Sequence, residues 1–275
     1  MGDVVGQGTV AYDTFYHARW KRARQWSRET IEARLAYAVE ADKGGTLTGR
    51  EIQHALRAID ATNIRGKKVL DYCCGTGMTA IYFALCGAEV WAFDASAEAI
   101  KIARQSAEMS GVSQSIHFDV LDAQSLPYDD DSFDAAFCKS ALYIVAGFPR
   151  CCTELCRVLR TGGRAVFCEE GLGYNPFIKF IRRLRPAKWV KYGGQSLTYP
   201  DIRQFGAPFS QTEIRHFNLL MRIKTAFKRQ LKRHGCLKPW SKMFLRILEK
   251  VDGAILRAVP RIEKYCGTVV VCFVK

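Results

Sequence analysis

Val69-Leu70-Asp71-Tyr72-Cys73-Cys74-Gly75-Thr76-Gly77-Met78-Thr79-Ala80 is the stretch from which the rest of this chain is read. An apolar strand end, Val69 and Leu70, runs into Asp71; a turn carrying Gly75 and Gly77 follows, and then the helix-like run Met78 to Cys86. A strand, a glycine turn and a helix N-terminus together make a nucleotide pocket. Glycines let the backbone approach a ligand closely, and the first N–H groups of the helix point at it. Gly75 to Ala80 satisfies the dinucleotide pattern G-x-G-x-x-G/A through Ala80. Asp71, four residues before Gly75, adds a carboxylate that can accept a hydrogen bond from an ammonium group near the turn.

Outward from this turn, strand-like and helix-like segments alternate: 67–72, 78–86, 89–93, 97–110, 115–119, 133–138, 148–159 and 164–169. Such alternation predicts an α/β fold, a doubly wound and mostly parallel sheet with helices on both faces. Its ligand crevice lies at the carboxyl ends of the strands, where Asp71, Asp94, Asp122 and Cys138 fall. Residues 212–220 supply a sixth strand, and 267–274 (GTVVVCFV) a last one. The first sixty residues read as helical: 12–38 carries aromatic and apolar residues at helical spacing, and Thr48-Gly49-Arg50-Glu51 has the form of a capping box opening a helix over 49–61. Asp42-Lys43-Gly44-Gly45 is the break between them. Residues 170–209, rich in Gly, Pro and aromatics, read as an irregular lid, and 222–259 as a basic helical excursion. The predicted organisation is a helical cap (1–62) and a main domain (63–275), with 170–210 and 222–260 as basic insertions on the substrate side.

The spacing D-x-x-x-G-x-G resembles motif I of class I S-adenosylmethionine (SAM) methyltransferases, and later landmarks follow in the family's order. Glu89 to Phe93 ends in Asp94, seventeen residues after Gly77. Phe118-Asp119-Val120-Leu121-Asp122-Ala123, Leu126-Pro127-Tyr128 with Ser132-Phe133-Asp134, and Arg157-Val158-Leu159-Arg160-Thr161-Gly162-Gly163 complete the set. The resemblance is close over about 67–170 and loose elsewhere. It implies a seven-stranded, Rossmann-like sheet with an antiparallel last strand, and SAM as cofactor. Tyr16, Asp71, Cys73, Gly75, Gly77, Asp94, Ala95, Asp122, Ala123 and Cys138 would line the cofactor, with Asp94 taking the ribose hydroxyls and Asp122 placed at the adenine amine. Tyr143 stands where many relatives carry a histidine and would face the acceptor. Glu170-Gly171-Leu172-Gly173-Tyr174-Asn175-Pro176 looks like the E-P-L-G-H-N-P segment of a bacterial subgroup, with Gly171 and Tyr174 replacing Pro and His. Glu170 is thereby the candidate acid/base, with Glu169 as its rival. Tyr12, Tyr16 and His17 resemble an aromatic lid; Tyr12, His17, Tyr174, Asn175, Arg182 and Arg183 are the candidate acceptor contacts. An aromatic helix face packed on the core is the competing reading for the first three.

Composition sets the outer bounds. With 275 residues and 48% apolar content, the chain can bury a full core. It contains no run of 18 apolar residues and no leader-like N-terminus, which predicts a cytoplasmic protein. Eleven cysteines without a CxxC pair read as buried free thiols, and no metal site is expected. The net charge of +14 is concentrated: residues 171–264 hold 21 Lys or Arg against five acids, a surplus of 16. This tract suits a phosphate, an anionic membrane surface or plain solvent, while the absence of aromatics interleaved with the basic residues argues against nucleic acid. Residues 240–259 are amphipathic and basic, so peripheral membrane contact is open to them.

The expectation is a SAM-dependent methyltransferase acting on a small, hydrophobic acceptor, with or without an anionic group. Its sharpest form is carbon methylation of an isoprenyl diphosphate, where Mg2+ would enter only with the diphosphate. N- or O-methylation of an amine, phenol or quinone-like lipid is the alternative, and a SAM-binding module without turnover the non-enzyme reading. Oligomeric state is not legible in the sequence.

Overall fold

The computed structural model describes residues 16–23, 25–39, 50–170, 173–174, 196–220 and 239–275. Its centre is a seven-stranded sheet in the order β3-β2-β1-β4-β5-β7-β6. The strands are β1 (Lys68–Tyr72), β2 (Glu89–Asp94), β3 (Ile116–Val120), β4 (Phe133–Lys139), β5 (Leu159–Glu170), β6 (Gln211–Phe217) and β7 (Thr268–Val274). β1 to β5 pair in parallel, and β7 is inserted between β5 and β6, antiparallel to both. Val69, Leu70 and Tyr72 are wholly buried because β1 lies at the middle of a sheet covered on both faces.

Helices α1 (residues 16–23), α2 (Arg28–Val39), α3 (Arg50–Ala58), α4 (Met78–Leu85), α5 (Ala97–Met109), α6 (Leu142–Val145), α7 (Pro149–Val158), α8 (Tyr199–Gly206) and α9 (Pro239–Ala258) flank the strands. Two apolar clusters divide the core. One, around Ile81, Phe83, Ala103 and Phe137, lies under α2 to α5; the other, around Tyr72, Leu142, Leu155 and Phe273, lies under α6 to α8.

Several boundaries differ from the sequence reading. The single helix expected over 12–38 is two: the chain leaves helical geometry at 25–27, and the Ser27 hydroxyl accepts from the Thr30 N–H at 3.3 Å to start α2. Residues 170–209 are not irregular throughout, since α8 begins at a full capping box in which Thr198 and Asp201 bond each other's backbone N–H. Thr198-Tyr199-Pro200-Asp201 was the local signal for it, with Pro200 in the first turn. β5 starts at Leu159 rather than Arg164, through a register shift against β4 between Phe133 and Ala135. Thr48 of the predicted capping box, the segment 221–238 and most of 171–195 lie outside the described residues.

Candidate cofactor and acceptor site

After β1 the chain reverses through three left-handed residues, Cys73, Gly75 and Gly77, at φ of 57°, 55° and 73°. Gly77 is fixed twice over. Its φ favours glycine, and a Cβ there would stand 2.8 Å from the Cβ of Ala103 on α5. Cys73 accepts the same backbone geometry without being glycine, at a steric cost of about 1–2 kcal/mol. Gly77, at the N-cap of α4, has no side chain to cap the helix, and the Ala80 N–H in its first turn donates to Asp71.

Asp94, at the end of β2, joins this turn to the next. One carboxylate oxygen accepts from Gly75 N–H at 2.9 Å and the other from Ser96 N–H at 3.0 Å. Cys74 N–H reaches the Phe93 carbonyl at 2.8 Å, so the two βα turns are stitched side by side. Ala95, next along, is exposed. Asp71 is 1% exposed, and its Oδ2 accepts from the Thr79 hydroxyl at 2.8 Å. Its Oδ1 is buried without a hydrogen-bond partner among the described residues. Burial pushes the carboxyl up to about 7, with the Thr79 bond working against that rise. An orphaned acceptor beside a glycine turn is satisfied by a donor from a ligand, as an ammonium group would supply, so these residues fit SAM.

α1 brings Tyr16 to the same place. A Cβ on Gly75 would lie 3.0 Å from the Tyr16 hydroxyl. Burial holds that hydroxyl neutral and above its ordinary range, with Asp94 raising it further and Tyr143 among the neighbours. The helix runs alongside α5: His17 approaches Glu98 at 3.8 Å, and the Ala23 carbonyl accepts from Gln105 at 3.2 Å, further along each helix. His17 is therefore placed against α5. Asp122 is exposed and accepts from the Gln124 N–H at 2.9 Å, while Ala123 is buried beside it. Cys138 is wholly buried beneath the crevice, and burial raises its thiol far above the ordinary range. The cysteines among the described residues are free.

On the acceptor side, Ser140, the residue after β4, is in a left-handed conformation, and its N–H donates to the Cys168 carbonyl at 3.0 Å. Glu169 is 0% exposed, and its Oε1 accepts from the N–H groups of both Ala141 and Leu142 at 2.9 Å. This carboxylate holds the turn that carries half-buried Tyr143, which is a positioning role. Glu170 pairs through its backbone with Thr268, and its side chain lies outside the described residues. So do Tyr12, Asn175, Arg182 and Arg183.

Tyr174 belongs to a cluster the sequence reading did not contain. Its ring stacks on Tyr199, with centroids 5.1 Å apart, and its hydroxyl accepts from Tyr199 N–H at 3.1 Å. The Tyr199 hydroxyl meets His216 Nε2 at 2.9 Å, and His216 Nδ1 lies 3.2 Å from Glu263. Burial lowers the His216 pKa, and Glu263 opposes this. His216, Val269 and Glu169 stand in register across β6, β7 and β5, so the cluster sits at the level of the crevice. Nothing local marks these residues, because they come from four separate elements.

Residues 69–163 match the family model described as a methyltransferase domain. The stretch from β1 into β5 is thus similar to a methyltransferase domain. A demethylmenaquinone methyltransferase of Clavibacter sepedonicus is 36% identical over 120 residues, 44% of this chain and 46% of its own length. The chain spans about half the length of the curated relatives it matches. Among solved structures, a Haemonchus contortus phosphoethanolamine N-methyltransferase with phosphomonomethylethanolamine and S-adenosylhomocysteine superimposes with a TM-score of 0.57 at 15% identity, covering 91% of this chain and 58% of that one. A geranyl diphosphate C-methyltransferase of Streptomyces coelicolor, bound to Mg2+, geranyl diphosphate and S-adenosylhomocysteine, gives 0.51 at 16% identity, covering 82% and 80%. At these identities the two structures establish the fold alone.

Proposed function

We propose that the chain is a SAM-dependent methyltransferase whose acceptor is small, hydrophobic and anionic, with carbon methylation of an isoprenyl diphosphate as the specific reading. The observation that carries the cofactor half is the Asp94 carboxylate. It is held by Gly75 and Ser96 beside a turn whose buried Asp71 oxygen awaits a donor. When bound, SAM supplies an electrophilic methyl group on a sulfonium. In this reading Asp94 takes the ribose hydroxyls, Asp71 the ammonium group, and Asp122 the adenine amine. Tyr16 and Tyr143 border the acceptor from two sides, and Glu169 keeps Tyr143 in place. Most of the rate then comes from alignment of the acceptor. Glu170 removes the proton that carbon methylation leaves behind, and Arg182 and Arg183 hold the diphosphate, with Mg2+ where that group is present.

Support for the diphosphate comes from the surplus of 16 positive charges over 171–264 and from the fold shared with the geranyl diphosphate enzyme. The second reading is a quinone-like lipid, phenol or amine acceptor, favoured by the 36% identity to a demethylmenaquinone methyltransferase.

Calorimetry and a labelled-methyl assay test both halves. Asp94→Ala should weaken SAM binding about tenfold or more, the usual loss for a charge-assisted hydrogen bond. Across prenyl diphosphates, quinols, phenols and amines, turnover should be confined to the first class, and millimolar pyrophosphate should compete with the acceptor. Failure of pyrophosphate to inhibit sinks the diphosphate reading; tight SAM binding with no turnover on any acceptor sinks the enzyme. Glu170→Gln should lower kcat by about a hundredfold with SAM affinity intact.

A further inference from the structure

The clearest feature outside the crevice is an apolar row on α9. Met243, Ile247 and Val251 are 61%, 50% and 41% exposed, and their spacing of four places them on one stripe of the helix. Ala254 and Ala258 continue it and are also exposed. Each member of the triplet is preceded by a basic residue: Lys242-Met243, Arg246-Ile247, Lys250-Val251. Of the basic residues on this helix, Lys250 and Arg257 are described as exposed.

The rest of α9 is anchored elsewhere. Asp252, 4% exposed, accepts from the N–H groups of Leu219 at 3.1 Å and Leu220 at 2.8 Å. Gly253 faces Arg50 on α3 so closely that a Cβ would stand 2.9 Å from a guanidinium nitrogen. By helical geometry Asp252 lies roughly opposite the stripe, so the fold holds the helix by one side and leaves the apolar row outward.

We propose that α9 is an interfacial helix that docks the protein on an anionic lipid bilayer. Apolar side chains enter the boundary between headgroups and acyl chains while the neighbouring Lys and Arg meet the anionic headgroups. Charge selects this occupant over a second copy of the chain. Pairing two such stripes would bring two helices of basic sequence together on molecules already at +14 each. No helix among the described residues is long and apolar enough to cross a membrane, so contact through α9 is with the surface. The inference stands independently of the acceptor.

Co-sedimentation of the full chain with phospholipid vesicles tests it. The protein should sediment with phosphatidylcholine vesicles containing about 30% phosphatidylserine at about 0.1 M salt, stay in solution with phosphatidylcholine alone, and be released near ~1 M salt. Ile247→Asp should abolish sedimentation, and Lys250→Glu should weaken it by about tenfold or more. Both variants should keep the wild-type melting temperature, because these side chains are exposed; Met243→Ser serves as a milder third. Absence of binding to the serine-containing vesicles, equal binding to both compositions, or variants that bind as wild type would each overturn the proposal. So would a dimer in sedimentation velocity that Ile247→Asp dissociates, which would make the stripe a self-interface, or capture of the stripe by an acidic protein in preference to vesicles.

Discussion

The turn after β1 and the cluster around Tyr174 stand at the same end of the sheet and are held by different means. The first is a backbone construction. Cys73, Gly75 and Gly77 bend it, and Asp94 fastens it through the Gly75 N–H while its other oxygen holds the Ser96 N–H of its own turn. The second rests on side chains: Tyr174 on Tyr199, Tyr199 on His216, His216 on Glu263, with Glu169 holding the neighbouring turn. A backbone cradle tolerates no added atoms but is indifferent to many side chains. A side-chain network is sensitive to chemistry yet can be retuned one residue at a time. The cofactor half of a methyltransferase has one ligand to recognise, whereas the acceptor half must suit whatever that enzyme methylates.

The largest expected effect is at Gly77. Gly77→Ala places a methyl against Ala103 at a φ of 73°, so it combines overpacking with left-handed strain. We expect a stability loss of about 2–5 kcal/mol and loss of measurable SAM binding. A thermal melt and calorimetry would show it, and wild-type behaviour would break the idea that the cradle is sterically saturated.

Asp71 offers a smaller effect, read through pH. Its folded-state pKa of about 7 lies above the ordinary value of 3.8, so the folded chain holds the proton more tightly than the unfolded one. Stability from this group is fully present below about pH 4 and falls as pH rises toward 7, with a limiting slope of about 1.4 kcal/mol per pH unit between the two values. Denaturant midpoints without SAM should decline over that window, and Asp71→Asn should flatten the decline. An unchanged slope in Asp71→Asn would assign the pH dependence to other groups.

Tyr199→Phe is the gentlest probe and the one that separates the two halves. It removes one hydrogen bond to His216 and should cost about 1 kcal/mol. SAM affinity should stay at the wild-type value while the acceptor KM rises. A change in SAM affinity instead would mean that the network and the cradle are coupled through β5.

The cradle was legible because its members are near in sequence or at a fixed interval: Asp71, Gly75 and Gly77 fall within a single turn, and Asp94 ends the next strand. The mostly parallel sheet with helices on both faces followed from alternation for the same reason, since each βαβ unit is local and has one preferred hand. The split between α1 and α2 was hidden because the aromatic spacing continues across residues 25–27, and only the Ser27 cap reveals the break. α8 was hidden by its setting, because the Gly, Pro and aromatic residues around it resemble a loop and only the Thr198–Asp201 pair marks its start.

By itself, then, the sequence determined the class of sheet, the glycine turn, the identity of the carboxylates around it and the concentration of positive charge beyond residue 170. These depend on local backbone preference and on composition, which a linear text carries in full. Tertiary structure alone decided that Tyr16 lies over Gly75, that Glu169 commits its buried carboxylate to Ala141 and Leu142, and that Tyr174 shares a network with His216 and Glu263. It also decided which side of α9 is fastened and which faces outward. Each of these pairings joins residues far apart along the chain, and only the closure of the sheet, with the burial it imposes, brings such groups within hydrogen-bonding reach.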